Sequence, residues 1–180
     1  PMSQILLGCA ASAALHKACD LASKLTQAGH RVRAVLTPRA AQLISPQLFE
    51  ALTGEPASVD EFKAGRRSAM DHIELGKWAQ VVLIAPASAD LIARLALGLG
   101  SDLLGTAVLA TAPGTRKFLC PAMNPHMLVQ PPIQRHLAQL AADGWTVVEP
   151  GEGHMACGDG GKGRLPEPAE IVALLKRALA

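Results

Sequence analysis

Residues 81–90, Val81-Val82-Leu83-Ile84-Ala85-Pro86-Ala87-Ser88-Ala89-Asp90, decide the fold. Val81 to Ala85 run without a polar interruption and are mostly branched, the pattern of a strand buried on both faces. Pro86 is expected to end that strand, because proline has no N–H for a central ladder. Ser88 then stands where a helix begins, its hydroxyl placed to cap the first turn. A doubly buried strand that feeds directly into a helix is half of a crossover unit, and crossover units build parallel sheets.

The same alternation continues on either side. Upstream, Ile5-Leu6-Leu7-Gly8-Cys9 reads as a buried strand. A helix is expected from Ser12 to about Ala28, with Ala14, Ala18, Leu21, Ala22 and Leu25 on one stripe and Gly29 at its end. Val32 to Leu36 reads as a second strand, followed by Thr37-Pro38, short helical pieces and a more polar stretch from Thr53 to Arg67. Downstream, the helix after Ser88 leads into Gly98 and Gly100, and Asp102 is placed to cap a second apolar helix to about Ala110. Lys117 to Cys120 and Trp145 to Val148 read as strands, Pro132 to Ala142 and Ala169 to Leu179 as helices. This order predicts one α/β domain over residues 2–180, a parallel sheet between two helical layers. Pro1, ahead of Met2, reads as a cloning remnant.

Composition narrows the function. Lys and Arg number 17 against 15 Asp and Glu, so the net charge is only +2, which argues against a nucleic-acid binder that works by counterion release. Aromatic residues make up 3% with no Tyr, which argues against a base-stacking platform. No apolar run approaches the roughly 18 residues of a bilayer span, and Pro1 to Leu7 lack the form of a signal peptide. A cytoplasmic protein with no nucleic-acid or membrane partner is expected. Cys9, Cys19, Cys120 and Cys157 show neither CxxC pairing nor finger-like spacing, so no metal site and no disulfide framework is expected.

In open parallel sheets ligands lie beyond the carboxyl ends of the strands, which directs attention to the residues after each strand. Gly8-Cys9-Ala10-Ala11-Ser12 places small residues at a helix start, either an ordinary cap or a cradle for an anion; it is not a GxGxxG fingerprint. Thr37 follows the second strand. Pro86-Ala87-Ser88-Ala89-Asp90 is a further small-residue junction. In Pro121-Ala122-Met123-Asn124-Pro125-His126-Met127, Asn124 is a turn former or an amide fixed toward a ligand. His72 opens the segment His72-Ile73-Glu74-Leu75, where it serves as a base or as a surface cap. His16, His30 and His136 are expected to face solvent. Between 151 and 163 six of thirteen residues are Gly, around Cys157, so order there is expected to need a ligand or partner.

Together, His72-Ile73-Glu74-Leu75, Pro86-Ala87-Ser88-Ala89-Asp90, Pro121-Ala122-Met123-Asn124 and Ala156-Cys157-Gly158-Asp159 resemble the flavin-dependent cysteine decarboxylases, especially the decarboxylase domain of bacterial coenzyme A biosynthesis. The resemblance implies a flavodoxin-like fold with non-covalent FMN. It also implies a small-molecule substrate, 4′-phosphopantothenoyl-L-cysteine, decarboxylated to 4′-phosphopantetheine. Ala11, Ser12, Ala13, Thr37, Ser88, Ala89, Asp90, Leu91 and Ala122 would contact FMN. His72 would be the base, Asn124 would hold the substrate carboxylate, and Cys157 would act as acid and reductive partner within a substrate clamp of Met155, Ala156, Cys157 and Gly158. It further implies a homotrimer or a dodecamer built of trimers, and a fused or separate synthetase that makes the substrate. The chain departs from many relatives at Cys9-Ala10, at Ala11-Ser12, where a Gly-Ser or Gly-Gly pair is common, and at Asp90, where many carry Asn. A decarboxylase of peptides ending in Cys, and a non-catalytic flavoprotein regulator, are the other readings.

Overall fold

The computed structural model describes residues 2–62, 70–154 and 160–180. Gln4–Cys9 (β1), Arg31–Leu36 (β2), Val81–Ala87 (β3), Arg116–Pro121 (β4) and Trp145–Val147 (β5) form one parallel sheet in the order β2-β1-β3-β4-β5. That is the flavodoxin order, in which the chain reverses its direction of travel between β1 and β3. Every residue of β3 is buried, as its unbroken apolar run requires.

Side chains leave the strands alternately to two cores. Ile5, Leu7, Val81, Leu83 and Ala85 point to the layer of Leu15–Gln27 (α1), Pro46–Thr53 (α2) and Pro168–Ala178 (α8), where they meet Leu21, Phe49 and Ile171. Leu6, Val82 and Ile84 point to the opposite layer of Asp71–Trp78 (α3), Ala89–Ala96 (α4), Leu103–Leu109 (α5) and Pro131–Ala142 (α7), where they meet Leu75, Ile92 and Leu104. Truncating a buried leucine such as Leu83 to Ala costs about 2–5 kcal/mol in a core of this kind.

The helix caps fall where the sequence places them in two cases. Ser88 Oγ accepts the Leu91 N–H at 3.3 Å, and Asp102 Oδ1 accepts the Gly105 N–H at 2.8 Å. Ser12 is different. The helix begins at Leu15, with Ala14 at the cap position, while Ser12 Oγ accepts the Ala14 N–H at 3.2 Å inside a preceding turn. A hydroxyl that closes a local turn competes with helix initiation, which delays α1 by three residues against the expected start.

Pro86 does not end its strand either. The β3–β4 register shifts between Ile84 and Ala87, so the imide nitrogen falls at an irregularity where no ladder donor is needed, and Ala87 pairs again with Pro121. The glycine-rich segment departs most from expectation. Gly151–His154 (β6) and Gly160–Arg164 (β7) form an antiparallel ribbon, with Gly153, Gly161 and Gly163 at φ of 140°, 137° and 152°. Those angles are open to glycine and strained for other residues, so glycine permits a ribbon in a segment whose order was expected to need a ligand or partner. Among the described residues no helix is long and apolar enough to cross a membrane.

Candidate functional site

The ends of the strands are laced together at the reversal point. Ala10 N–H donates to the Pro86 carbonyl, Thr37 N–H to that of Cys9 and Ala122 N–H to that of Ala87, each at 3.0 Å. Beyond this edge opens a cleft of about 380 Å³ lined by Ala11, Thr37, Pro38, Arg39, Ser88, Ala89, Asp90, Arg94, Ser101, Asp102 and Met127. Its volume lies within the usual range for small-molecule and cofactor sites. The junctions after β1, β2 and β3 thus converge on one space, as an open parallel sheet demands.

The turn before α1 supplies donors. The backbone N–H groups of Ala11, Ser12 and Ala13 find no acceptor among the described residues, because Ser12 turns its hydroxyl and carbonyl to Ala14 and Leu15. Three consecutive free donors at the start of a 13-residue helix suit a phosphate. Small side chains at Ala11, Ser88 and Ala89 leave the backbone approachable, which suits a flat ring system against the strand ends. The residues present therefore fit a flavin mononucleotide.

Charge in the cleft is nearly balanced. Arg94 Nε lies 3.0 Å from Asp90 Oδ2, and its Nη1 lies 2.9 Å from Asp102 Oδ2 and 3.3 Å from Ser101 Oγ. Exposed Arg39 makes no ion pair among the described residues, so a cation remains on the rim. Thr37 is buried, its Oγ1 accepting the Ala40 N–H at 3.2 Å.

The remaining site residues lie around the cleft rather than along it. Leu91 is fully buried in the core and contributes its N–H to the Ser88 cap. Ala122 is 5% exposed at the end of β4. Asn124 caps the short helix Pro125–Leu128 (α6), its Oδ1 accepting the His126 N–H at 2.8 Å, and the neighbouring Met123 N–H donates to the Gly163 carbonyl of β7. The glycine ribbon is thereby tied to the Asn124 turn.

His72 is the second residue of α3, and its Nδ1 lies 2.6 Å from Glu61 Oε2. Met155, Ala156, Cys157 and Gly158 lie outside the described residues. Of the other thiols, Cys9 and Cys120 are buried; burial pushes Cys9 far up and Cys120 up to about 12, which leaves both unreactive. Among the described residues no cluster of His, Cys, Asp and Glu could hold a metal. His30, expected to face solvent, is half-buried and accepts the Ser3 N–H on Nδ1; burial lowers its pKa. His136 is half-buried too.

Sequence reading missed Arg94, Ser101, Asp102, Met127, Pro38 and Arg39 as cleft walls, and Glu61 beside His72. The i,i+4 spacing of Asp90 and Arg94 was the available signal for the first. Nothing local signalled the last.

A family model described as Flavoprotein matches residues 1–180. The chain is 42% identical over 98% of its length to a coenzyme A biosynthesis bifunctional protein CoaBC of Bacillus subtilis, of which it covers 43%. A solved structure of a cysteine-to-serine mutant of PPC decarboxylase complexed with pantothenoylaminoethenethiol superposes with a TM-score of 0.85 at 30% identity, covering 99% of both chains. The FMN-dependent cysteine decarboxylase SpaF superposes with a TM-score of 0.79 at 31% identity, over 99% of this chain and 98% of that one. The chain thus spans less than half the length of the curated relatives it matches.

Proposed function

Because the chain belongs to the flavoprotein family, we propose that it binds one FMN and decarboxylates 4′-phosphopantothenoyl-L-cysteine to 4′-phosphopantetheine, acting as a single unit over residues 2–180. The observation that carries this reading is the cleft at the β1/β3 reversal, lined by Ala11, together with the free N–H groups of Ala11, Ser12 and Ala13 in the turn that follows β1. Those groups would hold the FMN phosphate, while Thr37, Ser88, Ala89 and Asp90 line the rest of the cofactor's path and Ala122 lies at the neighbouring strand end.

A β-thiol carboxylate resists loss of carbon dioxide because the electrons left behind have no acceptor. Bound FMN supplies an oxidation of the thiol-bearing carbon and returns the same two electrons at the end, so no net redox change remains. His72 would take the thiol proton on Nε2, the nitrogen turned away from Glu61. Asn124 would hold the substrate carboxylate through its amide, with the turn that it caps fixing its backbone. Cys157 would return a proton as the double bond of the enethiol is reduced; the enethiol in the related PPC decarboxylase complex supports that order. The net result exchanges the carboxylate for a proton on the same carbon.

Subunit assembly as a trimer, or a dodecamer of trimers, is part of the proposal. Leu97, Leu99 and Leu109 are 62%, 48% and 57% exposed on neighbouring segments, an apolar surface that another subunit would cover. A synthetase, fused or separate, would make the substrate, as the CoaBC name of the relatives suggests.

Incubating the FMN-loaded protein with 4′-phosphopantothenoylcysteine, and in parallel with a peptide ending in Cys, tests the assignment. Formation of 4′-phosphopantetheine supports it. Consumption of the peptide alone transfers the chain to the peptide-modifying decarboxylases.

A further inference from the structure

We propose that Glu61 is a positioning residue for His72, holding the imidazole with its proton on Nδ1 so that Nε2 is the free base; this rests on the reading of His72 as the base of the decarboxylase. Glu61 Oε2 lies 2.6 Å from His72 Nδ1, a distance short even for a charge-assisted hydrogen bond. The two side chains are 16% and 30% exposed, so water competes only weakly for either partner. They are eleven residues apart, one in the turn that follows the bridge between Val35 and Ser58 and the other on the first turn of α3.

The arrangement is selective in what it permits. A carboxylate only accepts, so a neutral imidazole facing it must carry its proton on Nδ1. That leaves the Nε2 lone pair for a substrate proton, and the imidazolium formed on taking it is stabilised by the carboxylate behind it. A neutral histidine side chain in water favours its proton on Nε2, so without Glu61 the selection of the Nδ1–H form would be lost.

Among the described residues, Glu74 and Asp60 near His72 engage other partners. On its own helix, Glu74 turns to Arg33 of β2 at 3.6 Å. The packed helix α5 carries no ionisable residue from Leu103 to Leu109. In the turn, Asp60 Oδ1 accepts the Phe62 N–H at 2.8 Å.

The test uses the FMN-loaded full chain as wild type, Glu61→Ala and Glu61→Asp. Two-bond ¹H–¹⁵N correlation of labelled histidine, assigned with His72→Asn, reads the tautomer where the ring is neutral. Steady-state carbon dioxide release reads kcat and KM. The expected result is an Nδ1–H tautomer in wild type that reverts toward Nε2–H in Glu61→Ala. With it, kcat falls about 10²-fold at unchanged KM and flavin content, and Glu61→Asp recovers part of it. An Nε2–H tautomer in wild type, or unchanged kcat in Glu61→Ala, overturns the assignment. Wild type that releases no carbon dioxide defeats the functional reading instead, and the tautomer then decides the Glu61–His72 pairing alone.

Discussion

Arg94 stands 2.9 Å from Asp102, with side chains only 15% and 9% exposed, so the wall of the proposed cofactor cleft is built on a largely buried ion pair. Removing the cation leaves the Asp102 carboxylate without compensation beside Asp90 and puts two uncompensated negative charges in the wall of the proposed FMN cleft. Arg94→Met is expected to cost about 2–4 kcal/mol of stability, toward the range for breaking a buried pair, and to weaken FMN binding at least tenfold. Urea denaturation and fluorescence titration with FMN check the two effects separately.

Gly76 sets the distance between α3 and α5. A Cβ there would fall 2.6 Å from the backbone carbon and oxygen of Ala110, which have no freedom to yield. Gly76→Ala is therefore expected to force the helices apart at about 1–3 kcal/mol and, because α3 carries His72, to lower turnover as well. Denaturation midpoints and carbon dioxide release on the folded variant measure both.

Asn124→Asp preserves the cap, since an aspartate accepts the His126 N–H as well as an asparagine does. Fold and flavin content should survive. A carboxylate set against the substrate's carboxylate should raise KM and lower kcat together by about tenfold or more. Unchanged KM would return Asn124 to a purely capping role.

How much of this was readable from the chain depends on the range of each interaction. The β3 run showed its double burial in its composition alone, and Ser88 and Asp102 showed their caps, because these features are set within a few residues. Ser12 misled because a hydroxyl followed by apolar periodicity looks the same whether it caps the helix or closes the turn before it. The β6–β7 ribbon was hidden because glycine reports permitted angles without saying which are used. Glu61 was invisible because its partner, eleven residues on, comes near only when the turn and α3 have both folded.

Glu55 gives a pH-dependent test of the fold. Burial works to raise its carboxyl, but hydrogen bonds and charge from Arg31 and Arg33, at 2.6 and 3.1 Å, outweigh it and hold the group below the ordinary carboxylate range. A depressed carboxyl stabilises the folded state above its unfolded pKa and loses that contribution as pH falls through the folded value. Glu55→Gln should lower stability by about 1 kcal/mol at neutral pH, and its deficit should vanish in acid below the folded value. Urea melts of both proteins at neutral and acidic pH show it.

Carbon dioxide released from 4′-phosphopantothenoylcysteine by FMN-loaded wild type and His72→Asn, at equal flavin content, is the most direct measurement of decarboxylation with His72 as base. The substitution keeps a side chain suited to a helix start, so it should spare fold and cofactor. Rapid release by wild type and a loss of about 10²- to 10⁴-fold in the variant is the predicted result. No release by wild type would contradict the decarboxylase, and equal rates in the two proteins would remove His72 from the chemistry.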